Sequence, residues 1–493
     1  MGLGSASTAA PLLARSRREE EEKEKEKEQV VERKGPWRGW GLGETWRELK
    51  LVWRIAGPAI LTSLFEYSLG SVTQTLVGHI GTLELAAVGL QNLVISGIGF
   101  GIMLGMGSAL ETLSGQAYGA GKPHMLGIYL QRSWIILLLT GLVLSTVCIF
   151  ATPILKLLGQ TDEIAELAGR FSIWMIPELF AFAVDFPIEK FLQAQSKVGV
   201  MAGISATVLA VHLPLSWVFI IKLNMGLVGA AITLNLAWFL LVAGQLAYLF
   251  SGKCRDAWTG FSWLALTDLV DFLWLSVASA VMLCLEYWTM MVVILLAGLL
   301  KDPEIAVDAA SICMNMEGWS FMIPLGFVAA VSVRVSNELG AGRPKAAKFS
   351  VLVVIMISVA IQTTVMLIIL TTREHFPALF TEDQHVMAKV SKLAFFLAAS
   401  IFLSSIQPVL SGVAIGASWQ STVAYINLGC YYVVGLGTGA LLGFKLNLGL
   451  RGIWGGVLFG VLLQTIILVV ITWRTDWDKE AQLARDRVAT WVG

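Results

Sequence analysis

AVMLCLEYWTMMVVILLAGLL, residues 280–300, decides the fold class. A helix of about 20 apolar residues, rising 1.5 Å each, spans roughly the 30 Å hydrocarbon core of a bilayer. The stretch carries one charge, Glu286, near its middle. A carboxylate at that depth costs roughly 2.5–3.5 kcal/mol on insertion scales. A chain retains such a group where it is protonated, paired or lining a polar cavity. The first expectation is therefore a transport pathway with Glu286 in it.

Composition extends this reading outward. Of the 493 residues, 56% are hydrophobic and 14% charged, against about 25% charged in soluble domains. Much of the charge sits in one run, RREEEEKEKEKEQVVERK at 17–34, which leaves the rest poorer still. That run has no apolar face to bury and reads as a solvated tail. The formal net charge is zero, so no global field points to nucleic acid. The 48 glycines suit helices that pack closely in lipid. Cys148, Cys254, Cys284, Cys313 and Cys430 show no metal-binding or redox spacing and read as small apolar packing residues. The N-terminus lacks an early apolar core, so no signal peptide is expected. The expected class is an all-α polytopic membrane protein with no metal and no cofactor.

Twelve apolar spans follow the tail, near 52–77, 84–111, 127–150, 163–187, 198–221, 227–250, 269–299, 304–332, 347–371, 389–413, 418–443 and 450–473. The expected organisation is a disordered tail at 1–47, a six-helix half at 48–250, a linker at 251–268, a second half at 269–473, and a polar, soluble tail at 474–493. Twelve spans put both ends on one side. The loops on that side carry Lys122, Lys190, Lys197, Lys253, Arg255, Arg334, Arg343, Lys345 and Lys348. The opposite loops carry Lys156, Lys222, Lys301, Arg373, Lys445 and Arg451. The excess places both termini in the cytoplasm.

The halves repeat. GAGKP at 119–123 returns as GAGRP at 340–344, and KLNMGLVG at 222–229 returns as KLNLGLRG at 445–452. At a similar offset, Glu66-Tyr67 falls on Glu286-Tyr287. Three blocks in order at nearly one offset indicate a duplicated unit. Six helices per unit give parallel repeats related by an axis along the membrane normal, with substrate between them.

Within the spans, the candidate proton-coupling residues are Glu286, Glu66 and Glu317. No Lys or Arg lies within a turn of Glu286 or Glu66. A carboxylate in apolar surroundings can take up and release protons, and so bias one conformation against another. Tyr287, Trp288, Asn315, Trp319, Gln91 and Asn235 are the candidate cavity residues. The aromatics suit a planar organic substrate, while helix–helix packing competes as an explanation for the amides. Asp185 and Glu189 read as an interfacial group with Lys190 at the end of the fourth helix. His212 reads as hydrogen-bonded packing. No HExxH, GxSxG, GxGxxG or phosphate-loop pattern is present, so no enzyme is expected.

VGHIGTLELAAVGL (77–90), ETLSGQAYGAGK (111–122), KFLQAQSKV (190–198), MLCLEYW (282–288), SVRVSNELGAGRP (332–344) and QPVLSGVAIGASWQ (407–420) resemble the multidrug and toxic compound extrusion (MATE) family. The likeness is to its plant-type branch, and within it to members linked to vacuolar flavonoid loading. The resemblance implies twelve helices in two pseudo-symmetric, six-helix lobes arranged as a V, with proton-coupled antiport. It also implies that the seventh-helix acid, here Glu286, binds the coupling ion. Two positions depart from the pattern. Many relatives carry Asp in the tenth helix where this chain reads Ser404, and Glu317 is the candidate replacement. The first-helix Asp of bacterial members is absent, and Glu66 lies further along.

The function expected is proton-driven export of organic metabolites or xenobiotics, flavonoid-like or alkaloid-like, by a monomer in the vacuolar or plasma membrane. Its partners would be the small organic substrate, protons and the bilayer. An organic-acid or anion (citrate, chloride) pathway and a lipid-linked saccharide flippase are the alternatives. Acidic mid-membrane groups weigh against both.

Overall fold

A computed structural model describes residues 41–492 apart from 298, 301, 302 and 382. The charged run at 17–34, and with it most of the expected tail, lies outside the described residues. The chain divides into two units at Leu51 and Val52. In the first, the described residues open helix α1 (Leu42–Gly78), where the Lys50 ammonium lies over the Trp46 ring. Everything below concerns residues 52–493.

The spans follow in order as α2 (Thr82–Gly119), α3 (Met125–Ile149), α4 (Asp162–Trp174 and Ile176–Ala194), α5 (Val198–Lys222) and α6 (Gly226–Lys253). The second half has α7 (Leu269–Ala297), α8 (Pro303–Gly340), α9 (Pro344–Thr372), α10 (Gln384–Ala417), α11 (Gln420–Lys445) and α12 (Leu450–Arg474). Among the described residues, ten helices are long and apolar enough to cross a membrane, and the bent α4 pair makes eleven. Helix α1 covers the first expected span.

The duplication is written into the backbone. Gly121 and Gly342 both have φ of 72°, in the two GAG loops. Asn224 (50°) matches Asn447 (54°), and Gly226 (57°) matches Gly449 (59°), in the two KLN turns. Ser196 (56°) and Ser418 (68°) form a further left-handed pair, 222 residues apart, that sequence comparison alone does not mark. Left-handed backbone is costly for residues other than glycine, so its recurrence at matching positions reports a shared fold.

Two expectations are corrected. The fourth span does not end at 187. It breaks at Met175, bends by 48° and continues to Ala194. The break exposes the Trp174 carbonyl, which accepts from the Asn235 amide of α6 at 2.8 Å. Asn235→Leu leaves that carbonyl unpaired and is expected to cost about 1–3 kcal/mol, read as a lowered Tm in detergent. The residues after Arg474 are also not a solvated tail. Trp477–Val492 forms helix α13, with Trp477, Ala481, Ala484 and Val488 buried. Their alternating spacing of four and three residues makes one apolar stripe.

The linker is fixed to α3. Gln131 bonds the Gly260 carbonyl and the Ser262 amide, and the buried Arg132 pairs with Asp268 at 3.1 Å.

Candidate functional site

Glu286 is half-buried on α7. Helix α10 breaks at residues 404–406 and restarts at Gln407-Pro408, where proline suits a helix start. The restarted segment presents Ser411, which donates to Glu286 Oε2 at 3.3 Å, and Gln407, which donates to Ser411 at 3.2 Å and lies within bonding reach of the carboxylate. Ser404 sits at the break itself, as the C-cap of the first α10 segment. The groups that face Glu286 from α10 are thus Gln407 and Ser411, both neutral.

The first lobe carries a denser cluster. Glu66 on α1 accepts from Ser205 of α5 at 3.1 Å. One oxygen from each of Glu66, Asp185 and Glu189 lies within 4.8 Å of the others. Asp185 is fully buried and Glu189 nearly so. Asp185 and Glu189 are four apart and share a face of α4. The expected interfacial group with Lys190 is therefore replaced by an internal one. The Lys190 ammonium instead pairs with the buried Glu111 of α2 at 3.0 Å. Gln245 of α6, also fully buried, lies beside Asp185. Apart from each other, neither its amide atoms nor the Asp185 oxygens have a hydrogen-bond partner among the described residues.

The two clusters are the same construction with different residues. The left-handed serines set the register between α4 and α10 at 222. Asp185 then matches Gln407 and Glu189 matches Ser411, while Glu66 matches Glu286 from the helix opposite. In each lobe, an acid on the first helix faces an i, i+4 polar pair on the fourth. The second lobe holds one carboxylate with neutral donors, and the first holds three carboxylates. Glu66 and Glu189 lie within hydrogen-bonding reach of each other, and two carboxyl groups bond only when one carries a proton. Four acids with one lysine leave negative charge that a proton or a cation would balance. This cluster is where the chain could hold a metal ion, although none was expected.

Glu317 belongs elsewhere. It is buried on α8 and accepts from Ser400 on the first segment of α10, and its Oε2 has no hydrogen-bond partner among the described residues. Asn315 and Trp319 lie on the exposed side of α8. Asn315 bonds its own helix at Ser311. Trp319 meets Tyr67 edge-on at 5.1 Å across the lobes. Tyr287 stands in an aromatic series with Phe100 of α2 and Phe321 of α8 at 6.2 Å each. Trp288 lies against Gly101, its indole nitrogen buried without a hydrogen-bond partner among the described residues. Gln91 is fully buried and donates to Ser96 within a wide turn of α2. Asn235 has the packing role given above. His212 is buried between Thr73 (3.0 Å) and Ser216 (3.1 Å).

Comparison with known proteins fixes the family. The MatE family model matches residues 58–218 and 278–441. Protein DETOXIFICATION 33 of Arabidopsis thaliana is 56% identical over 446 residues, covering 90% of this chain and 92% of that one. Protein DETOXIFICATION 29 of the same plant is 55% identical, covering 90% and 89%. The crystal structure of the eukaryotic MATE transporter AtDTX14 superposes with a TM-score of 0.87 at 34% identity, over 90% of this chain and 99% of that one. The Vibrio cholerae MATE transporter VcmN in the bent form shares the fold, with a TM-score of 0.74 at 19% identity over 91% and 99%. Twelve helices in two lobes are the architecture of these neighbours and of α1–α12 here. The chain is a multi-pass membrane efflux transporter and belongs to the MatE family.

Proposed function

We propose that the chain is a proton-coupled antiporter that carries flavonoid-like or alkaloid-like organic molecules out of the cytoplasm by alternating access. The observation that carries this reading is Glu286, a carboxylate on a bilayer-spanning helix whose hydrogen bonds come from neutral donors, Ser411 and Gln407. With no cation beside it among the described residues, its charge is balanced by a proton when the site is closed to water. Protonation then favours one arrangement of the lobes and release the other. The first-lobe cluster is a second place for a proton, because its acids outnumber the one lysine at hand. Tyr287, Trp319 and Tyr67 supply aromatic faces for a planar substrate.

The excess of Lys and Arg in the loops on the side of the termini supports a cytoplasmic position for both termini, and so for the GAG-loop end of the bundle. In a vacuolar membrane, export would mean loading the vacuole.

The test is purified protein in liposomes with a trapped pH dye and an imposed pH gradient. A flavonoid, an alkaloid and citrate are compared in one preparation. Saturable uptake of either organic substrate with proton movement in the opposite direction is expected. Ohmic citrate or chloride current without proton counterflow would overturn the reading in favour of an anion pathway.

A further inference from the structure

At the GAG-loop end, the two lobes meet through contacts that obey the internal repeat. Gln116 Nε2 of α2 donates to the Gly416 carbonyl of α10 at 3.1 Å. Asn337 of α8, at the matching position 221 residues on, donates to the Ala194 carbonyl of α4 at 3.3 Å. Ala194 and Gly416 are themselves a matched pair in the register set by Ser196 and Ser418. Gly119 packs on the Asn337 backbone, and Gly340 on the Gln116 backbone. The seam is a pseudo-twofold structure in which each lobe hands the other a side-chain amide and a glycine.

One contact breaks the symmetry. Arg487 of α13 donates to Gln116 Oε1 at 2.7 Å. The corresponding Oδ1 of Asn337 is buried and has no hydrogen-bond partner among the described residues. Among the described residues, helix α13 has no helical counterpart after α6, where the linker forms a short turn at Trp263–Leu266. The guanidinium is well enclosed: burial lowers the Arg487 pKa from its ordinary value, and Glu480 opposes that shift. With Oε1 held by Arg487, the Gln116 amide nitrogen is oriented toward Gly416, so one side chain ties α13 to the seam.

Helix α13 also grips both lobes at its ends. Its Trp477 ring lies 6.0 Å from Trp419, at the α10–α11 junction. Its Trp491 ring lies 6.3 Å from Tyr129 of α3 and 6.4 Å from Phe272 of α7, with the Arg132 guanidinium 5.3 Å away. It is covalently joined to the second lobe through α12. Lobes that separate at this end therefore pull Gln116, Tyr129 and Arg132 away from it.

We propose that α13 is a latch on this end of the transporter: Arg487 and Trp491 hold the first lobe against the second, and they release it each time the seam opens. The latch acts on the equilibrium between the two lobe arrangements. It is independent of which substrate or ion the transporter moves.

The test uses the full chain in lipid nanodiscs, with spin labels at His124 and Lys348, which are exposed on the first lobe and on α9. The native cysteines are all buried. Distances between the labels are measured by pulsed electron resonance. The unaltered latch is expected to give a dominant short distance. Arg487→Ala is expected to raise the proportion of a longer, open-seam distance about tenfold. Trp491→Ala, which leaves Gln116 and its partner in place, is expected to move the distribution the same way. Both variants matching the parent distribution would overturn the proposal. Should Arg487→Ala fail to reach the membrane, Trp491→Ala alone decides: a shift supports the latch and an unchanged distribution sinks it.

Discussion

Glu286→Gln is expected to abolish substrate accumulation driven by a pH gradient while leaving downhill exchange in place. Glutamine keeps the length of the side chain and an oxygen that can still accept from Ser411, which now bonds Glu286 at 3.3 Å. What it removes is the ability to take a proton. A gradient of two pH units supplies about 2.7 kcal/mol per proton, at 1.36 kcal/mol per unit, and that sustains roughly a 100-fold concentration ratio across the membrane. A transporter without the proton site has no hold on that energy, and its accumulation ratio falls to about one. Counterflow of labelled against unlabelled substrate, which needs only the lobe movement, is the control that separates lost coupling from a lost fold. Full accumulation by the variant would sink Glu286 as the coupling group. If Glu66→Gln then abolished accumulation, the coupling would belong to the cluster with Asp185 and Glu189.

That alternative turns on residues the sequence does not assemble. The costly charges on the spans, Glu286 and Glu66, stand out one at a time because an isolated carboxylate in an apolar run has no other explanation. The duplication stands out because turns repeat their glycines and asparagines to meet a left-handed backbone, and those residues survive as readable blocks. Asp185 and Glu189 do carry a signal, an i, i+4 spacing on one helical face. Lys190 beside them offers a cheaper explanation, and only the course of α4 rejects it. The helix breaks at Met175 and runs on to Ala194, so these acids fall well inside the bundle while Lys190 turns to Glu111. A break of this kind leaves little trace in composition, because the amide that satisfies it, Asn235, comes from α6. Gln407 and Ser411 are hidden in the sequence for the opposite reason. Neutral residues in an apolar span cost little and attract no notice, yet they supply the hydrogen bonds of the Glu286 site. In the sequence, helix α13 looks like a soluble tail because its stripe is spaced by charged residues. Its apolar face has meaning only once both lobes are in place to cover it.

Gly340→Ala is expected to open the GAG-loop seam and to reduce transport by an order of magnitude or more. A Cβ at Gly340 would overlap the Gln116 carbonyl oxygen, and one at Gly119 would overlap the Asn337 carbonyl oxygen. Both obstacles are backbone, and neither can swing aside as a side-chain end would. Added bulk in a packed contact costs about 1–3 kcal/mol, which at 1.4 kcal/mol per tenfold shifts a two-state equilibrium by roughly 5- to 150-fold. The penalty falls on the arrangement with this end closed, because separation of the lobes removes the overlap. Gly203→Ala on α5 is the matched control, since its Cβ would meet open space, and alanine is the better helix former. Transport and label distances should therefore stay at parent values for Gly203→Ala and change together for Gly340→Ala. The repeat adds a stricter requirement. Gly119 and Gly340 stand in equivalent contacts, so Gly119→Ala must shift the seam in the same direction and by a similar factor. Of the two matched amides, the latch touches Gln116 and not Asn337, so it can make the two glycine variants differ in size. A large effect at one glycine with none at the other would mean that the repeated contacts do not close the seam as a unit.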